Sequence, residues 1–286
     1  MRIGVIGGSG VYAMEGLEGV SEVRVSTPYG DPSDAFILGT LDGQELVFLP
    51  RHGRGHRFNP TEVNYRANIF AMKLLGVEWV ISVSAVGSLK AEIVPGHIVV
   101  VDQFIDRTVA RKSTFFENGL VAHVAFGDPV CPTLRGMLLE AAREAGATTH
   151  DGGTYVCMEG PAFSSKAESN LHRSWGASVI GMTNMPEAKL AREAELSYAT
   201  LAMATDYDCW HPDHDHVTVD QVVAVLLQNA SLARRVVAAA VPKIVAFGKP
   251  APQSNALAAA ILTQPSAVTA ETKRLLAPLI GKYMPV

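Results

Sequence analysis

The chain begins M-R-I-G-V-I-G-G-S-G over residues 1–10, where a short apolar segment runs directly into a glycine turn. A glycine turn after a buried strand usually directs backbone N–H groups at an anion. The glycines loosely fit the dinucleotide-binding pattern, but Gly16 and Gly19 interrupt the expected helix and no acidic residue ends the next strand-like segment. No lysine follows them, as a nucleoside triphosphate loop requires. The turn therefore predicts a small anion site that includes the Ser9 hydroxyl, with a simple tight turn as the alternative.

Beyond this turn, apolar segments rich in β-branched residues alternate with segments of helical periodicity. The alternation predicts an α/β fold: a mixed, mostly parallel sheet flanked by helices on both faces. Strands are predicted at residues 2–6, 35–38, 46–49, 79–83, 97–101, 154–158, 178–182 and 198–204, and helices at 61–75, 133–145, 165–175, 186–195 and 218–240.

The chain has 286 residues, of which 48% are hydrophobic, enough to bury the core of a single α/β domain. We assign this domain to residues 1–248. Residues 107–132 form a long connection with little periodicity, which is typical of a functional or interface loop. Residues 249–286 are interpreted as a linker and a C-terminal helix, at 270–283, docked on the domain.

Charge and cysteine content exclude several classes of protein. The net charge of −4 provides no basic surface for nucleic acid. Three scattered cysteines without a C-x-x-C pair argue against a disulfide framework or a zinc knuckle. The first apolar segment is too short for a secretion signal, and no later one is long enough to span a membrane. We therefore predict a cytoplasmic protein without a nucleic-acid or membrane partner.

A basic stretch, R-H-G-R-G-H at residues 51–56, directly follows a predicted strand. Arginine offers a planar donor fork that suits phosphate, and histidine adds a donor that becomes charged near neutral pH. An exposed surface loop is the alternative, but parallel strands bring this stretch to the same sheet edge as two other polar turns, G-G-S-G at residues 7–10 and S-A-V-G-S-L at residues 84–89. The predicted phosphate-binding set is Ser9, Arg51, His52, Ser84, Ala85 and Thr183.

An acidic pair follows another predicted strand in A-T-D-Y-D-C-W, residues 204–210. Asp206 and Asp208 could cap a helix or accept local backbone bonds. They could equally meet the donor edge of a purine, its exocyclic amine and a protonated N7. The adjacent H-P-D-H-D-H, residues 211–216, resembles metal ligands, but its residues are too close together to chelate well, so we predict an exposed loop and no metal site.

Two apolar side chains near strand ends have a structural and a functional interpretation. Phe163 packs in the core or stacks on a ring. Met182 packs in the core or covers the face of a sugar.

The motifs together resemble a known family. The segment from F-L-P-R-H-G-R-G-H through S-A-V-G-S-L, residues 48–89, is similar to the signature of the trimeric purine nucleoside phosphorylases. The resemblance runs from Ile3 to about Ala240. Four further motifs resemble the branch of this family that acts on 5′-methylthioadenosine: D-Q-F-I-D-R-T at 102–108, E-G-P-A-F-S-S at 159–165, M-T-x-x-P-E at 182–187, and A-T-D-Y-D-C-W at 204–210.

This resemblance implies phosphorolysis of 5′-methylthioadenosine, a pentosyl transfer in purine and methionine salvage that yields adenine and 5-methylthio-α-D-ribose 1-phosphate. Inorganic phosphate would be the bound anion and co-substrate, no cofactor would be needed, and Asp206 would share or deliver a proton at purine N7. The resemblance also implies these roles: Asp206 and Asp208 grip the purine, Phe163 packs on the base, Met182 covers the ribose, Val219 and Val222 line the 5′ pocket, His123 reaches a neighbour's site in a homotrimer, and Ser164 and Val219 tune substrate choice.

Three departures and three alternatives remain open. Ser9 and Ser84 stand where relatives often have threonine, and Gly181 stands where some have asparagine. A phosphorylase of 6-oxopurine nucleosides or of methylthioinosine would use the same fold. A nucleosidase would use water in place of phosphate, and a noncatalytic nucleoside-binding protein would use neither.

Overall fold

The structure is a computed structural model that describes residues 1–8, 11, 14–212, 219–248 and 250–285, and only the backbone of residues 219–228. Within those residues the chain forms one sheet of eleven strands. The strands are β1 Arg2–Gly7, β2 Glu18–Val23, β3 Phe36–Leu41, β4 Gln44–Pro50, β5 Val77–Ser88, β6 Ile98–Val100, β7 Gln103–Arg107, β8 Thr149–Asp151, β9 Thr154–Met158, β10 Val179–Gly181 and β11 Ser197–Asp206. The helices are α1 Tyr65–Leu74, α2 Pro132–Glu144, α3 Lys166–Ser174, α4 Asn184–Glu193, α5 Val219–Phe247, α6 Ala270–Leu275 and α7 Ala277–Ile280, with a 3-10 turn at Pro265–Ala267.

The sheet is mixed and branches at β5. Its main path runs β2-β3-β4-β1-β5-β10-β9-β7, while β11 pairs with β5 along Trp79–Gly87 on the edge opposite β1 and continues through β6 to β8. Six of the ten strand pairs are parallel, including β1 with β4, β1 with β5 and β5 with β11. The predicted fold class, a mostly parallel sheet flanked by helices, is confirmed.

Alternate residues of the central strands belong to two separate cores, one on each face of the sheet. Val47 and Leu49 of β4 pack on the side of α1 and α4, whereas Leu46 and Phe48 pack on the side of α2 and α5. Side chains alternate across a strand, so a strand that is covered on both faces is apolar throughout. This arrangement explains the continuous apolar segments of the sequence.

Helix boundaries follow local capping chemistry. Ser165 and Glu168 form a reciprocal capping box at the start of α3. Pro132 occupies the first turn of α2, where its missing N–H costs nothing. Helices α1 to α4 begin and end within four residues of the predicted boundaries.

The prediction that residues 84–89 form a turn is wrong. β5 continues to Ser88, because its second half pairs with β11 on one side and with β10 on the other. Ser84 and Ala85 lie inside this strand. Three strands, β2, β7 and β8, are absent from the predicted list.

The C-terminal segment, residues 250–285, packs against the rest of the chain. Leu257 and Ile280 are buried in the same core as α1 and α4. The single helix predicted at residues 270–283 is wrong: it divides into α6 and α7 around Leu276. Pro278 explains the break, because proline lacks the N–H needed inside a helix and disfavours helical backbone before it. None of the described helices is both long and apolar enough to cross a membrane.

Candidate active site

Three of the predicted anion-binding residues, Arg51, Ser84 and Ala85, lie near one edge of the sheet, where β1, β4 and β5 are side by side. β1 pairs in parallel with both neighbours, so the segments that follow these strands converge. The backbone N–H of Arg51, the first residue after β4, donates to the carbonyl of Gly7 at the end of β1 over 2.9 Å. Ser84 and Ala85 lie alongside in the second half of β5.

The side chain of Arg51 turns inward from this edge and is buried. Its guanidinium donates to both carboxylate oxygens of Glu187, at 2.7 and 3.1 Å. It also donates to the Val83 carbonyl at 3.0 Å and to the Ser82 hydroxyl at 2.7 Å. The donors of the fork therefore face protein acceptors in this structure, and a direct contact of Arg51 with phosphate stays a prediction.

Glu187, a residue of α4 to which we assigned no role from sequence, fixes Arg51. It is 1% exposed and also accepts hydrogen bonds from Ser82, at 2.7 Å, and Tyr198, at 2.9 Å. A buried carboxylate needs such partners because desolvation otherwise costs several kcal/mol. The available signal was its place in M-T-N-M-P-E, where an acidic residue stands between two apolar neighbours.

Three hydroxyl groups cluster where β5, β9 and the start of α4 meet. Ser84 Oγ lies 3.1 Å from Tyr155 Oη and 3.2 Å from Thr183 Oγ1. Ser84 and Thr183 belong to the predicted phosphate set, and the structure brings them together. Tyr155 was not predicted, since a tyrosine inside an apolar strand has no local pattern that names its partner. Burial raises the pKa of Tyr155 to about 12, so the phenol keeps its hydrogen at neutral pH.

His52 follows Arg51 and is half-buried. Burial, together with the neighbouring Arg51 charge, lowers the pKa of His52 to about 4. Its Nδ1 lies 2.9 Å from the Phe58 carbonyl oxygen. A carbonyl can only accept, so Nδ1 carries the hydrogen of the neutral ring and Nε2 carries the lone pair. Arg54, two residues on, pairs instead with the carboxylates of Glu22 and Asp34.

Asp206 ends β11 at a register shift against β5. Its Oδ2 accepts from the Thr205 hydroxyl at 2.6 Å, and its Oδ1 accepts from the Asp208 backbone N–H at 2.7 Å. Burial raises the pKa of Asp206 above its ordinary value. A Cβ on Gly87 of β5 would lie 2.9 Å from Asp206 Oδ1, so glycine is what allows this close approach.

Asp208 is buried and adopts left-handed backbone, with φ of 52°. Its Oδ2 is buried without a hydrogen-bond partner among the described residues. Burial raises the pKa of Asp208, while the nearby Ser169 hydroxyl opposes this shift without forming a bond of regular geometry. An unpaired buried acceptor is costly, which suits a carboxylate that meets a donor on a ligand.

Phe163 and the proposed specificity residue Ser164 lie in the loop after β9, and Met182 follows β10. Phe163 is 50% exposed, so it is not a core residue of this chain. Met182 packs on Gly160, where an added Cβ would lie 2.5 Å from the Met182 sulfur. The Ser164 carbonyl accepts from the Cys209 thiol at 3.3 Å, which ties this loop to the segment that carries Asp208.

Arg111 and Glu159 form a junction that sequence reasoning missed. The Arg111 guanidinium is buried and donates to the carbonyls of Met182, at 2.7 Å, and Met185, at 2.6 Å. It also pairs with the Glu159 carboxylate at 2.9 Å. Although burial opposes it, hydrogen bonds from backbone amides, Thr61 and Arg111 lower the pKa of Glu159 to about 2. The pair thus connects the long connection after β7 to the segment before α4.

Four predicted site residues are not among the groups at the sheet edge. Ser9 and the side chains of Val219 and Val222 lie outside the described residues. His123 is exposed on the long connection, and its backbone N–H donates to the Ala260 carbonyl at 2.8 Å. Within the described residues no hydrogen bond joins it to the sheet-edge groups.

The histidine-rich stretch after Trp210 is described only in part. The ring of His211 stacks on Tyr207 at 4.6 Å. Residues 213–218 lie outside the described part of the chain, and within that part no three potential metal ligands come together.

Comparison with known proteins places this site in context. Residues 2–242 match the model of a family described as the phosphorylase superfamily. A protein of Geobacter sulfurreducens named S-methyl-5′-thioadenosine phosphorylase is 62% identical over 99% of each chain. A protein of Koribacter versatilis with the same name is 61% identical over 99% of this chain and 96% of its own.

Solved structures agree in fold. A methylthioadenosine phosphorylase from an Antarctic soil metagenomic library superposes with a TM-score of 0.93 and is 49% identical over 97% of this chain and 98% of its own. A variant of the adenosine/methylthioadenosine phosphorylase of Schistosoma mansoni, solved in complex with methylthioadenosine, gives a TM-score of 0.80 at 37% identity, over 86% of this chain and 92% of its own.

Proposed function

The chain belongs to the phosphorylase superfamily, and on that premise we propose that its site cleaves the N-glycosidic bond of 5′-methylthioadenosine with inorganic phosphate. The products are adenine and 5-methylthio-α-D-ribose 1-phosphate, so the reaction is a pentosyl transfer in purine and methionine salvage. One observation carries the proposal: the hydroxyl cluster and the Asp206 carboxylate lie along the same stretch of β5. The cluster includes Ser84, and Asp206 lies against Gly87, three residues farther along the strand. The proposed anion-binding group, on β5, and the proposed purine-binding group, at the end of β11, thus lie side by side.

The proposed phosphate site uses neutral donors around a buried ion pair. Ser84 and Thr183 donate their hydroxyl hydrogens to the anion, and His52, whose Nε2 carries a lone pair, accepts the hydrogen of a protonated phosphate oxygen. The Arg51–Glu187 pair underlies this site through the carbonyl of Val83. The proposed phosphate-binding residues are Ser9, Arg51, His52, Ser84, Ala85 and Thr183.

The proposed purine site is the acidic pair. Asp206, whose pKa burial raises, holds or shares a proton that passes to N7 and neutralises the leaving adenine. The unpaired Asp208 Oδ2 accepts from the exocyclic amine. The half-exposed ring of Phe163 packs on the base. A 6-oxo group would place an acceptor against these acceptors, which disfavours a 6-oxopurine substrate.

The remaining groups position the sugar. Met182 covers the ribose, and Val219 and Val222 line an apolar 5′ pocket. Ser164 and Val219 tune substrate choice, and His123 of a neighbouring subunit completes the site in a homotrimer. No protein nucleophile is needed, because phosphate attacks the anomeric carbon while the ribosyl group develops oxocarbenium character, so position and charge complementarity supply the rate.

Phosphate is the co-substrate and the proposal requires no cofactor. We also infer a cytoplasmic enzyme in which residues 1–248 form the catalytic domain and residues 249–286 a docked C-terminal extension.

The test compares release of the free base from 5′-methylthioadenosine and from methylthioinosine, each with and without phosphate. We expect phosphate-dependent release of adenine and slow release of hypoxanthine. Equal release without phosphate would identify a nucleosidase. Faster release from methylthioinosine would identify a 6-oxopurine enzyme, and no release from either would identify a binding protein.

A further inference from the structure

Tyr155 lies under the proposed phosphate site without touching solvent. It is fully buried in β9, and its ring meets Phe104 edge to face, with ring centres 5.7 Å apart. Its hydroxyl lies 3.1 Å from Ser84 Oγ and accepts from the Thr183 backbone N–H at 3.5 Å. One phenol therefore contacts the Ser84 hydroxyl and the Thr183 backbone, and the Thr183 hydroxyl in turn lies 3.2 Å from Ser84 Oγ.

Gly181 leaves the space that this phenol fills. A Cβ at position 181 would lie 2.0 Å from Tyr155 Oη and 2.6 Å from Tyr155 Cζ, closer than real Cβ contacts occur. The backbone of Gly181 does not have the positive φ that would itself require glycine. Glycine is therefore needed here for room.

The direction of the hydrogen bonds follows from the ligand. Phosphate oxygens mainly accept, so Ser84 and Thr183 must turn their hydrogens toward the anion. Tyr155 can then donate its single hydrogen to Ser84 Oγ, which orients that hydroxyl and strengthens its own donation. The phenol retains this hydrogen because burial keeps its pKa at about 12.

We infer that Tyr155 is a positioning residue of the phosphate site, orienting Ser84 and Thr183 through a hydroxyl that only glycine at position 181 accommodates. The inference rests on the proposed function. It assigns to Tyr155 a share in phosphate affinity without any contact with the nucleoside.

The first test is Tyr155→Phe, which removes one oxygen and keeps the ring on Phe104. We expect the KM for phosphate to rise about 3- to 10-fold, while the KM for methylthioadenosine changes less than about twofold. Phosphate added to the protein should also raise the Tm of wild type more than that of the variant. An unchanged phosphate KM, or equal rises in both KM values, would overturn the inference.

The matched control is Tyr283→Phe, which removes a phenol bound at 2.6 Å to Glu195 in the C-terminal segment. Both KM values should stay at wild type. A similar rise in phosphate KM in this control would show that loss of any phenol has this effect, and would overturn the inference.

A second pair of variants tests the packing. Gly181→Ala alone should lower the Tm. When it is combined with Tyr155→Leu, the added methyl group should cost much less Tm than it does in wild type, while the phosphate KM stays high. Additive effects on Tm would contradict the claim that the phenol occupies this space.

Wild type is assayed first with and without phosphate. Phosphate-independent release of adenine would remove the proposed function itself. Phosphate-dependent release by wild type with an unchanged phosphate KM in Tyr155→Phe would remove only the inference about Tyr155.

Discussion

The Glu187 carboxylate accepts two hydrogen bonds from the Arg51 guanidinium, and each of these side chains is only 2% exposed. The pair joins α4 to the end of β4 directly beneath the proposed phosphate site. Because the pair is buried, we expect it to affect both the stability of the fold and the position of the proposed site.

Replacing Glu187 by alanine leaves the Arg51 charge buried and unpaired. We expect the free energy of unfolding in urea to fall by about 3–5 kcal/mol. The control is Glu45→Ala, which breaks the half-exposed pair with Arg2 and should cost no more than about 1 kcal/mol. Similar small losses in both variants would mean that the buried pair contributes little to stability.

His52 makes stability depend on pH in the acid range. Its pKa of about 4 in the folded chain lies below the ordinary 6.5, so the unfolded chain binds the proton first. The contribution of His52 to the free energy of unfolding is therefore fully present above pH 6.5 and is lost as the pH falls to 4. The total loss is about 3 kcal/mol. His52→Gln should remove this part of the slope in unfolding measurements between pH 7 and 4.5. An unchanged slope would contradict the burial of a neutral ring.

Glu193 acts in the opposite direction. Burial raises the pKa of Glu193 to about 7, against opposing hydrogen bonds from the Phe115 amide and the Thr114 hydroxyl. The folded chain therefore binds the proton first, and the stability gained below pH 4.5 is lost as the pH rises to 7. Glu193→Gln should be more stable than wild type at pH 8, by up to about 3 kcal/mol, and similar to it at pH 4.5. Equal stability at both pH values would show that the carboxyl titrates normally.

The fold could be predicted because strand and helix periods are local properties of the sequence. The same reasoning predicted Ser84 and Thr183 in one site, although 99 positions separate them. The structure brings them together in a different way, because β10, which precedes Thr183, runs antiparallel to the end of β5. The turn expected at residues 84–89 does not form, because β5 pairs with both β10 and β11 at Gly87 and remains a strand to Ser88.

The residues that hold the site together could not be predicted in this way. Tyr155, Arg111 and Glu187 each bind at least one partner 71 or more positions away, and nothing in their local sequence names that partner. A buried arginine and an exposed one look alike in a sequence. Only packing decides which donors face the protein.

Asp206→Asn tests the purine site. The substitution keeps the shape but replaces a proton-sharing acid by an amide that also donates, so kcat on methylthioadenosine should fall more than binding weakens. The preference against methylthioinosine should narrow or reverse, because the amide can donate to a 6-oxo group. The measurement is kcat/KM for both nucleosides, and wild-type values on both would show that Asp206 is a turn residue.

The most direct test of the account is a stoichiometry: adenine formed and inorganic phosphate consumed by the wild-type protein acting on 5′-methylthioadenosine. Phosphorolysis predicts one phosphate consumed for each adenine released, the appearance of a methylthioribose phosphate, and no release when phosphate is left out. Adenine released at the same rate without phosphate, or with no phosphate consumed, would contradict the assignment of the Ser84 and Thr183 cluster as a phosphate site and of this chain as a phosphorylase.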